Sequence, residues 1–430
     1  MKAGFYEWDI TPPLGGFLWG HYARVFAQDV YDRIYAKALV VEDGGEVAAI
    51  VEVDTCSLPA DMYDFVTRRV YEYTGIAPER VCLSCNHTHA GASLGGAPDL
   101  RVPTDEAYAS VAYRQCADAV IMAYRNMTEV DVKLGIEAVE NISFCRNYEL
   151  NDGTLITHGR GNPNAKRLLD EVDPDLTVVM FEKEGKPIGA LINYSAHQCS
   201  MDDLYKNAPG YSGDYSSILS DRLKQQYGPE FVSLFALGAA GNVNFANPDA
   251  SVPYVPEGLN MRTYQYVGNV LADAALNMDK KEALGAGVKV ARKLLEVPRR
   301  EAGKYDMELA AQQLFGNKPT RVQNLLHYIS SNTEKSTRLA VQVITIGSLA
   351  IYCMPGEIYS AFGRRIKAES PFQHNIVVEN CNYYTGYIPN ADCFGENSKI
   401  YETSLCYHSN LIPEAGDLLT DAILELAKTM

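Results

Sequence analysis

Short apolar runs recur along the chain of 430 residues, and helical patterns lie between several of them. The runs have the length and composition of buried strands; they fall at 35–41, 47–53, 81–85, 130–136, 176–181, 188–194, 231–237, 288–297, 339–353 and 375–380. Amphipathic patterns that predict helices fall at 61–73, 105–126, 215–227, 262–277, 358–368 and 417–428. This alternation predicts an α/β fold.

No Pro/Gly/Ser-rich linker divides the chain, so we expect one large domain over residues 1–430. The stretch 301–336 is polar and helical, and it reads as a helical insertion that is either a plain surface feature or a lid. The net charge of −16 argues against binding of nucleic acid and against stable association with anionic membranes.

The first residues, Met1 to Asp9, lack the apolar core of a signal peptide, and no apolar stretch reaches transmembrane length. Several of the ten cysteines lie in strand-like runs, as small buried side chains do. We therefore expect a cytoplasmic protein with reduced thiols. Cys82 and Cys85 form a C-x-x-C, but positions three apart on a strand face opposite sides, so no zinc or redox role is predicted for the pair.

Two histidines, His87 and His89, close the apolar run 81–85. On a strand, residues two apart point to the same side, so both imidazoles would face one way. Histidine is the commonest metal ligand near neutral pH. The pair therefore predicts half of a metal site at the end of a strand.

Two further strand ends carry candidate ligands. His197 follows the apolar run 188–194, and sites in open α/β sheets gather at such carboxyl ends, although a lone histidine there can also be an ordinary hydrogen-bonded residue. Glu357 follows Pro355-Gly356, where a strand gives way to a helix. Its carboxylate is either an oxygen ligand for a metal or a charge that stabilises the helix N-terminus.

Two other segments leave their roles open. The tyrosine-rich stretch 382–389 is typical of core or pocket wall, and spacing alone does not select a functional tyrosine there. The run 231–237 leads into the small-residue turn 238–241, which permits close approach of a ligand or of another backbone.

Taken together, these segments resemble the neutral/alkaline ceramidase family. The matching motifs run in order along the chain: Trp8-Asp9-Ile10-Thr11-Pro12-Pro13-Leu14-Gly15, Gly20-His21-Tyr22-Ala23-Arg24, His87-Thr88-His89, Asn193-Tyr194 with His197, Pro355-Gly356-Glu357 with Gly363-Arg364-Arg365, and Cys381-Asn382-Tyr383-Tyr384-Thr385-Gly386-Tyr387. Each motif alone is weak, but the ordered set is specific.

The resemblance implies mixed β-sheets flanked by helices and one zinc ion held by four side chains: His87, His197, Glu357 and Tyr387. Tyrosine would bind zinc best as phenolate, its pKa lowered by the cation. The resemblance also implies that His89 contacts the substrate or the developing oxyanion.

Three more positions resemble charged positions of the family. Asp54 and Asp214 are either partners that orient the histidines or plain turn and capping residues. Arg146 either binds a polar substrate group or is a surface charge. The candidate catalytic residues are therefore His89, Asp214 and Arg146.

The positions that depart from the family pattern narrow the range of substrates that we expect. Its G-D-V-S-P-N motif reads Gly241-Asn242-Val243-Asn244-Phe245-Ala246 here, so covalent catalysis by a serine at that position is excluded. Ala90 and Ala92 also differ from the family pattern. The chain ends before the family's C-terminal immunoglobulin-like domain would begin. We therefore expect a small polar substrate rather than membrane ceramide.

The predicted function is a zinc-dependent hydrolase that cleaves the amide C–N bond of a small polar N-acyl compound by a metal-activated water. Two alternatives stay open: metal-dependent cleavage of an ester or glycosidic C–O bond, and a non-catalytic relative that binds a small molecule. The sequence does not decide the oligomeric state.

Overall fold

The computed structural model describes residues 1–21, 24–95, 104–201, 207–303, 306, 325–330 and 334–430. Its strands are β1 (Lys2–Asp9), β2 (Asp29–Val30), β3 (Tyr35–Asp43), β4 (Glu46–Val53), β5 (Val81–Cys85), β6 (Thr128–Glu129), β7 (Asp131–Ala138), β8 (Phe144–Cys145), β9 (Asn147–Leu150), β10 (Leu155–Thr157), β11 (Ala165–Leu168), β12 (Asp175–Lys183), β13 (Lys186–Tyr194), β14 (Gly210–Tyr211), β15 (Val232–Leu237), β16 (Val243–Asn244), β17 (Glu282–Ala283), β18 (Val288–Pro298), β19 (Ser336–Ile346), β20 (Leu349–Cys353), β21 (Glu357–Ile358), β22 (His374–Val378), β23 (Tyr387–Ile388) and β24 (Ser398–Lys399). The α-helices with resolved bounds are α1 (Ala60–Thr74), α2 (Glu106–Arg125), α3 (Tyr215–Tyr227), α4 (Thr263–Asn277), α5 (Ser360–Glu369) and α6 (Ala415–Ala427).

Three larger sheets share one design. Their strand orders are β5-β4-β3-β1-β6, β15-β13-β12-β7-β17 and β18-β19-β20-β22. Most neighbours are antiparallel, but one edge of each sheet is a parallel pair: β4 with β5, β13 with β15, and β20 with β22. The segments that leave the carboxyl ends of these pairs carry the candidate ligands, as expected for sites in α/β sheets.

The helices cover the outer faces of the sheets, and the inner faces meet one another. One apolar cluster joins α1 and α2 to the first sheet, a second joins α3 and α4 to the second, and a third joins α5 and α6 to the last. A central cluster draws on all three sheets, with Leu39, Leu191 and Ile351 among its members. No helix among the described residues is both long and apolar enough to cross a bilayer.

The predicted α/β class with mixed sheets is confirmed, and every predicted helix and strand outside 301–336 has a counterpart. One local prediction is wrong, and several strands were not predicted, of which β1 is the longest. The run 339–353 is two strands, because Gly347 takes a φ of 56° and turns the chain between β19 and β20. β1 was not predicted, since Lys2–Asp9 mixes polar and apolar residues. The predicted insertion at 301–336 lies largely outside the described residues; within it, 325–330 is helical.

Candidate metal centre

His87 lies in a turn beyond β5, not on the strand. Its φ of 63° is in the left-handed region, so the prediction that strand alternation aligns His87 with His89 is wrong. The preceding residue, Asn86, anchors the turn by donating from its amide to Asp54 at 2.5 Å. The His87 side chain is 2% exposed. The turn therefore directs this imidazole into the protein interior.

His197 enters the same interior space from the end of β13. The small-residue turn after β15 approaches it closely, and the Ala240 carbonyl oxygen lies 3.2 Å from His197 Nδ1. The His197 side chain is fully buried. The sequence left two roles for the turn 238–241, close approach of a ligand or close approach of another part of the chain. The structure shows the second.

The two imidazoles present their Nε2 atoms to each other at 3.0 Å. On the opposite side of each ring, Nδ1 faces a backbone carbonyl: Cys56 O at 2.5 Å for His87 and Ala240 O for His197. A carbonyl can only accept a hydrogen bond, so each Nδ1 carries the proton and each Nε2 keeps its lone pair. Two facing lone pairs repel unless a cation lies between them. Burial, His87 and Arg146 hold the pKa of His197 well below its usual value, which keeps the ring neutral as metal ligation requires.

Glu357 brings a carboxylate to these nitrogens. β21 pairs with β23 in parallel, and Gly356 permits the pairing: its φ is 70°, and a Cβ there would lie 2.4 Å from the Gly386 carbonyl oxygen. The sequence placed Glu357 near a helix N-terminus, but it lies on β21, before α5 begins at Ser360. The helix-charge alternative is therefore wrong.

The two oxygens of Glu357 have different surroundings. Oε1 accepts a hydrogen bond from the Tyr384 hydroxyl at 2.7 Å. Oε2 lies 3.2 Å from His87 Nε2 and 3.7 Å from His197 Nε2, yet it is buried without a hydrogen-bond partner. Burial raises the pKa of Glu357, but the hydrogen bond from Tyr384 and the charge of Arg146 are among the contacts that lower it overall. The carboxylate is therefore anionic and directs one unpaired oxygen at two imidazole lone pairs.

This donor set fits a divalent cation. One atom from each of His87, His197 and Glu357 lies within 4.8 Å of the others. Two imidazoles and one carboxylate, with a position left open, match the ligands of catalytic zinc sites. A buried oxygen without a partner would otherwise be costly, and a cation removes that cost.

Tyr387, the fourth predicted ligand, borders this group. It is the register partner of Glu357 across β21 and β23, and its ring lies parallel to His197, with centroids 6.5 Å apart and an interplanar angle of 10°. Its hydroxyl contacts Arg146 Nη2 at 3.3 Å and the Tyr401 hydroxyl at 3.2 Å. Ligation by Tyr387 stays a prediction.

Arg146 is buried, so the alternative of a surface charge is wrong. Its Nε donates to Glu402 at 2.7 Å and its Nη2 donates to the Gly241 carbonyl at 2.8 Å. Glu402 is itself fully buried and also accepts from Thr157 at 2.6 Å. Arg146 thus forms a buried ion pair with Glu402 and also contacts the hydroxyl of Tyr387.

His89 lies beside the two facing imidazoles and is only partly buried. Its ring centroid is 5.2 Å from that of His87 and 5.4 Å from that of His197. Gly20 backs the ring so closely that a Cβ there would lie 2.7 Å from His89 Cγ. Burial, with His87 and His21 nearby, lowers the pKa of His89 well below its usual value. The ring is a neutral hydrogen-bonding group on a more open side of the centre.

Asp214 is buried at the N-terminus of α3. It accepts from the backbone N–H of Tyr215 at 2.7 Å and of Ser200 at 3.0 Å, and it also accepts from the Ser200 hydroxyl. These contacts are those of a helix cap, one of the two roles that the sequence left open. A catalytic role for Asp214 stays a prediction.

The two asparagines that depart from the family motif have separate environments. Asn242 is 1% exposed; its amide donates to Asp170 at 3.1 Å and its oxygen accepts from the Ser360 N–H at 2.9 Å. Asn244 is half-buried, and its oxygen accepts from the Phe245 N–H at 2.6 Å. Asn242 therefore serves the fold, and a role of Asn244 toward a substrate stays a prediction.

Sequence reasoning gave no role to several residues of this centre, although His21 and Tyr384 lie within its motifs. The carbonyl of Cys56 orients His87, and the hydroxyl of Tyr384 orients Glu357. Tyr401 contacts Tyr387, and Glu402 pairs with Arg146. His21 Nε2 lies 2.8 Å from the His89 carbonyl oxygen. Tyr384 lies in the same motif as Tyr387, so the adjacent tyrosines were a usable signal. Tyr401 and Glu402 follow no motif that we had singled out.

Comparison with known proteins agrees with this geometry. Residues 2–251 match the family model described as neutral/alkaline non-lysosomal ceramidase, N-terminal. The chain belongs to this family. The resemblance drawn from the ordered motifs is thereby confirmed, and the chain is a member of a family of metal-dependent hydrolases.

Two solved structures share the fold of this ceramidase-family chain. They are the neutral ceramidase from Pseudomonas aeruginosa and a ceramidase complexed with C2. Each is 18% identical, with a TM-score of 0.75, and each alignment covers 99% of this chain and 74% of the other. A search of curated protein sequences gave no match.

Proposed function

We propose that the chain is a zinc-dependent hydrolase that cleaves the amide C–N bond of a small polar N-acyl compound. One observation carries the proposal: His87 and His197 direct neutral Nε2 atoms, and Glu357 directs an unpaired buried oxygen, at one point. Membership of a family of metal-dependent hydrolases supports it.

The chain's own residues prepare the centre before any substrate arrives. The carbonyls of Cys56 and Ala240 fix the tautomers of His87 and His197, so that both Nε2 lone pairs face inward. Tyr384 holds one oxygen of Glu357 and leaves the other for the cation. A zinc ion held there would act as a Lewis acid on the substrate carbonyl and would supply a hydroxide nucleophile near neutral pH.

Further roles fall to residues beside the centre. The neutral, partly exposed imidazole of His89 donates a hydrogen bond to the carbonyl oxygen as negative charge develops there. Arg146 stabilises Tyr387 as phenolate, the form in which tyrosine would serve as a fourth ligand. A neutral leaving amine requires a proton, which an acid of the centre supplies.

The substrate class follows from Asn244 and the charge of the chain. A carboxamide at position 244 offers hydrogen bonds to a polar substrate but no nucleophile, so the attacking group must be water. The solved ceramidase complexed with C2 supports a small-molecule substrate. The formal charge of −16 favours a substrate that is free in solution. A cytoplasmic location of the protein is part of the proposal.

Metal analysis joined to a substrate screen tests the proposal. The full chain is purified and assayed for bound zinc and for hydrolysis of matched amide, ester and glycoside substrates. We expect one zinc per chain and amide cleavage, both abolished in His87→Ala/His197→Ala and retained in the control His374→Ala, whose imidazole pairs with Glu282 elsewhere.

The alternatives give different results in the same experiment. If the chain binds zinc but hydrolyses only the ester or the glycoside, the reaction is C–O bond cleavage and not amide hydrolysis. A chain that binds such compounds unchanged and purifies without metal would be a binding protein. Stoichiometric zinc in the double histidine variant would overturn the ligand assignment.

A further inference from the structure

Three buried cysteines meet in the central core, apart from the histidines. One sulfur from each of Cys82, Cys353 and Cys381 lies within 4.8 Å of the others, and the Sγ atoms of Cys82 and Cys381 are 3.7 Å apart. Cys82 is 1% exposed and the other two are fully buried. The C-x-x-C spacing had paired Cys82 with Cys85, but the fold gives Cys82 two partners that are distant in sequence.

The three cysteines lie just before the segments that carry the candidate zinc ligands. Cys82 is on β5, which leads to His87; Cys353 ends β20, which leads to Glu357. Cys381 forms a β-bridge with Ser84 of β5 and precedes Tyr387. A link among the three sulfurs would therefore tie together the bases of three ligand-bearing segments.

The spacing of the sulfurs fits a thiophilic ion. With metal–sulfur bonds of about 2.3 Å, three sulfurs around an ion in their plane lie about 4.0 Å apart. The observed 3.7 Å between Cys82 and Cys381 needs a shift of only a few tenths of an ångström. Within the described residues, the cluster contains sulfur alone, without a carboxylate or imidazole. Thiolates without oxygen or nitrogen ligands select soft ions, and Cu(I) accepts such a set of three.

One positive charge lies near the cluster: the Arg292 guanidinium interacts electrostatically with Cys82. The Arg292 guanidinium lies over Tyr63 at 4.9 Å, and its Nε is buried without a hydrogen-bond partner. In the described part of the chain, Arg292 forms no ion pair with a carboxylate. A neighbouring metal–thiolate group would place negative charge close to this guanidinium.

We propose that Cys82, Cys353 and Cys381 form a soft-metal site that binds one Cu(I) ion and is separate from the histidine centre. Binding forms copper–sulfur bonds and releases the thiol protons to solvent, with no change in oxidation state. Because the sulfurs are buried, the ion enters while the chain folds. The site fastens β5, the end of β20 and the segment after β22 to one another, so its occupancy stabilises the scaffold on which any chemistry at the histidine centre depends.

The test uses the full chain, produced with added copper and purified under reducing conditions. We expect about one copper per chain in the wild type, with an X-ray absorption spectrum that shows only sulfur neighbours at about 2.3 Å. Cys353→Ala/Cys381→Ala should lose at least about nine tenths of this copper. The matched control is Cys116→Ala, which removes a fully buried thiol from a different apolar cluster.

A second pair of measurements keeps this site distinct from the histidine centre. His87→Ala/His197→Ala should keep its sulfur-bound copper even if the zinc proposal fails. A wild-type copper spectrum without sulfur neighbours would overturn the thiolate site, and this result needs no variant to fold. Copper retained in full by the double cysteine variant, or absent from the wild type, would overturn it equally.

Discussion

The Nε2 atoms of His87 and His197 lie 3.0 Å apart, although the two residues follow strands of different sheets. Each ring is turned to this position by a carbonyl on its far side, Cys56 O for one and Ala240 O for the other. Close approach of two lone pairs in a buried space is unfavourable without a cation. The relationship therefore has measurable consequences for metal binding and for stability.

Removing the metal should lower thermal stability. An ion bound only by the folded state adds about 4 kcal/mol when its free concentration is 1,000 times the dissociation constant. We expect a chelator to lower the Tm of the wild type and to leave the Tm of His87→Ala/His197→Ala unchanged. Differential scanning calorimetry measures both. A Tm of the wild type that does not respond to chelator or added zinc would contradict the prediction.

Tyr384→Phe should weaken metal binding without disturbing the fold. The change removes the hydroxyl that holds Glu357 Oε1 at 2.7 Å, and loss of such a partner costs about 10- to 100-fold in metal affinity. Competition with a chromophoric chelator gives the dissociation constant. The matched control is Tyr383→Phe, which removes a neighbouring hydroxyl that faces Asp64 instead. Equal losses in both variants would count against a specific role for Tyr384.

Gly20→Ala should separate catalysis from metal binding. The added Cβ would lie 2.7 Å from His89 Cγ, and the φ of 96° at Gly20 is itself unfavourable for alanine. We expect the His89 ring to be displaced, so that kcat falls while zinc content stays near that of the wild type. Gly15→Ala is the control, since it has a similar φ of 88° but open space around it. Equal activity in the two variants would argue against a role for His89.

Arg146→Met should destabilise the protein through its partner. The buried carboxylate of Glu402 would lose the cation 2.7 Å away, a change that costs about 3–5 kcal/mol in buried pairs. Adding Glu402→Gln removes the stranded charge and should recover much of that loss. Urea unfolding of the two single variants and the double variant measures the coupling. Strictly additive effects would show that the pair is not energetically linked.

Asp32→Asn should change how stability depends on pH. Burial, together with Asp221 and Asp54, raises the pKa of Asp32 to about 6, although the Ser212 hydroxyl donates to it at 2.5 Å. Between pH 3.8 and 6 the folded state holds this proton more tightly than the unfolded state does, so stability falls as pH rises through that window. Above it, the cost reaches at most about 3 kcal/mol.

The neutral asparagine avoids this cost. Asp32→Asn should therefore raise the free energy of unfolding at pH 8 more than at pH 4.5, as measured by urea denaturation. Asp29→Asn, at an exposed carboxylate nearby, is the control. A gain that is the same at both pH values would not come from the titration of Asp32.

Much of the fold was predictable because hydrophobic periodicity is local. The runs 35–41, 47–53 and 176–181 became strands close to those bounds, since branched apolar residues in short segments suit buried strands. β1 escaped prediction because its pairing with β3 stabilises a segment whose own pattern is mixed. The break between β19 and β20 depends on Gly347, whose φ a sequence pattern does not reveal.

The sequence by itself determined the family and the candidate ligand residues, because His87, His197 and Glu357 each follow an apolar run within an ordered set of motifs. Only the tertiary structure decided how they meet: His87 through a left-handed turn rather than strand alternation, and Glu357 on β21 rather than at a helix terminus. The tertiary structure was also needed to assign the histidine tautomers, to find the unpaired oxygen of Glu357 and to show that Cys82 lies beside Cys353 and Cys381. These features arise from contacts between distant segments, whose geometry is set by sheet pairing and burial and leaves no local trace in the sequence.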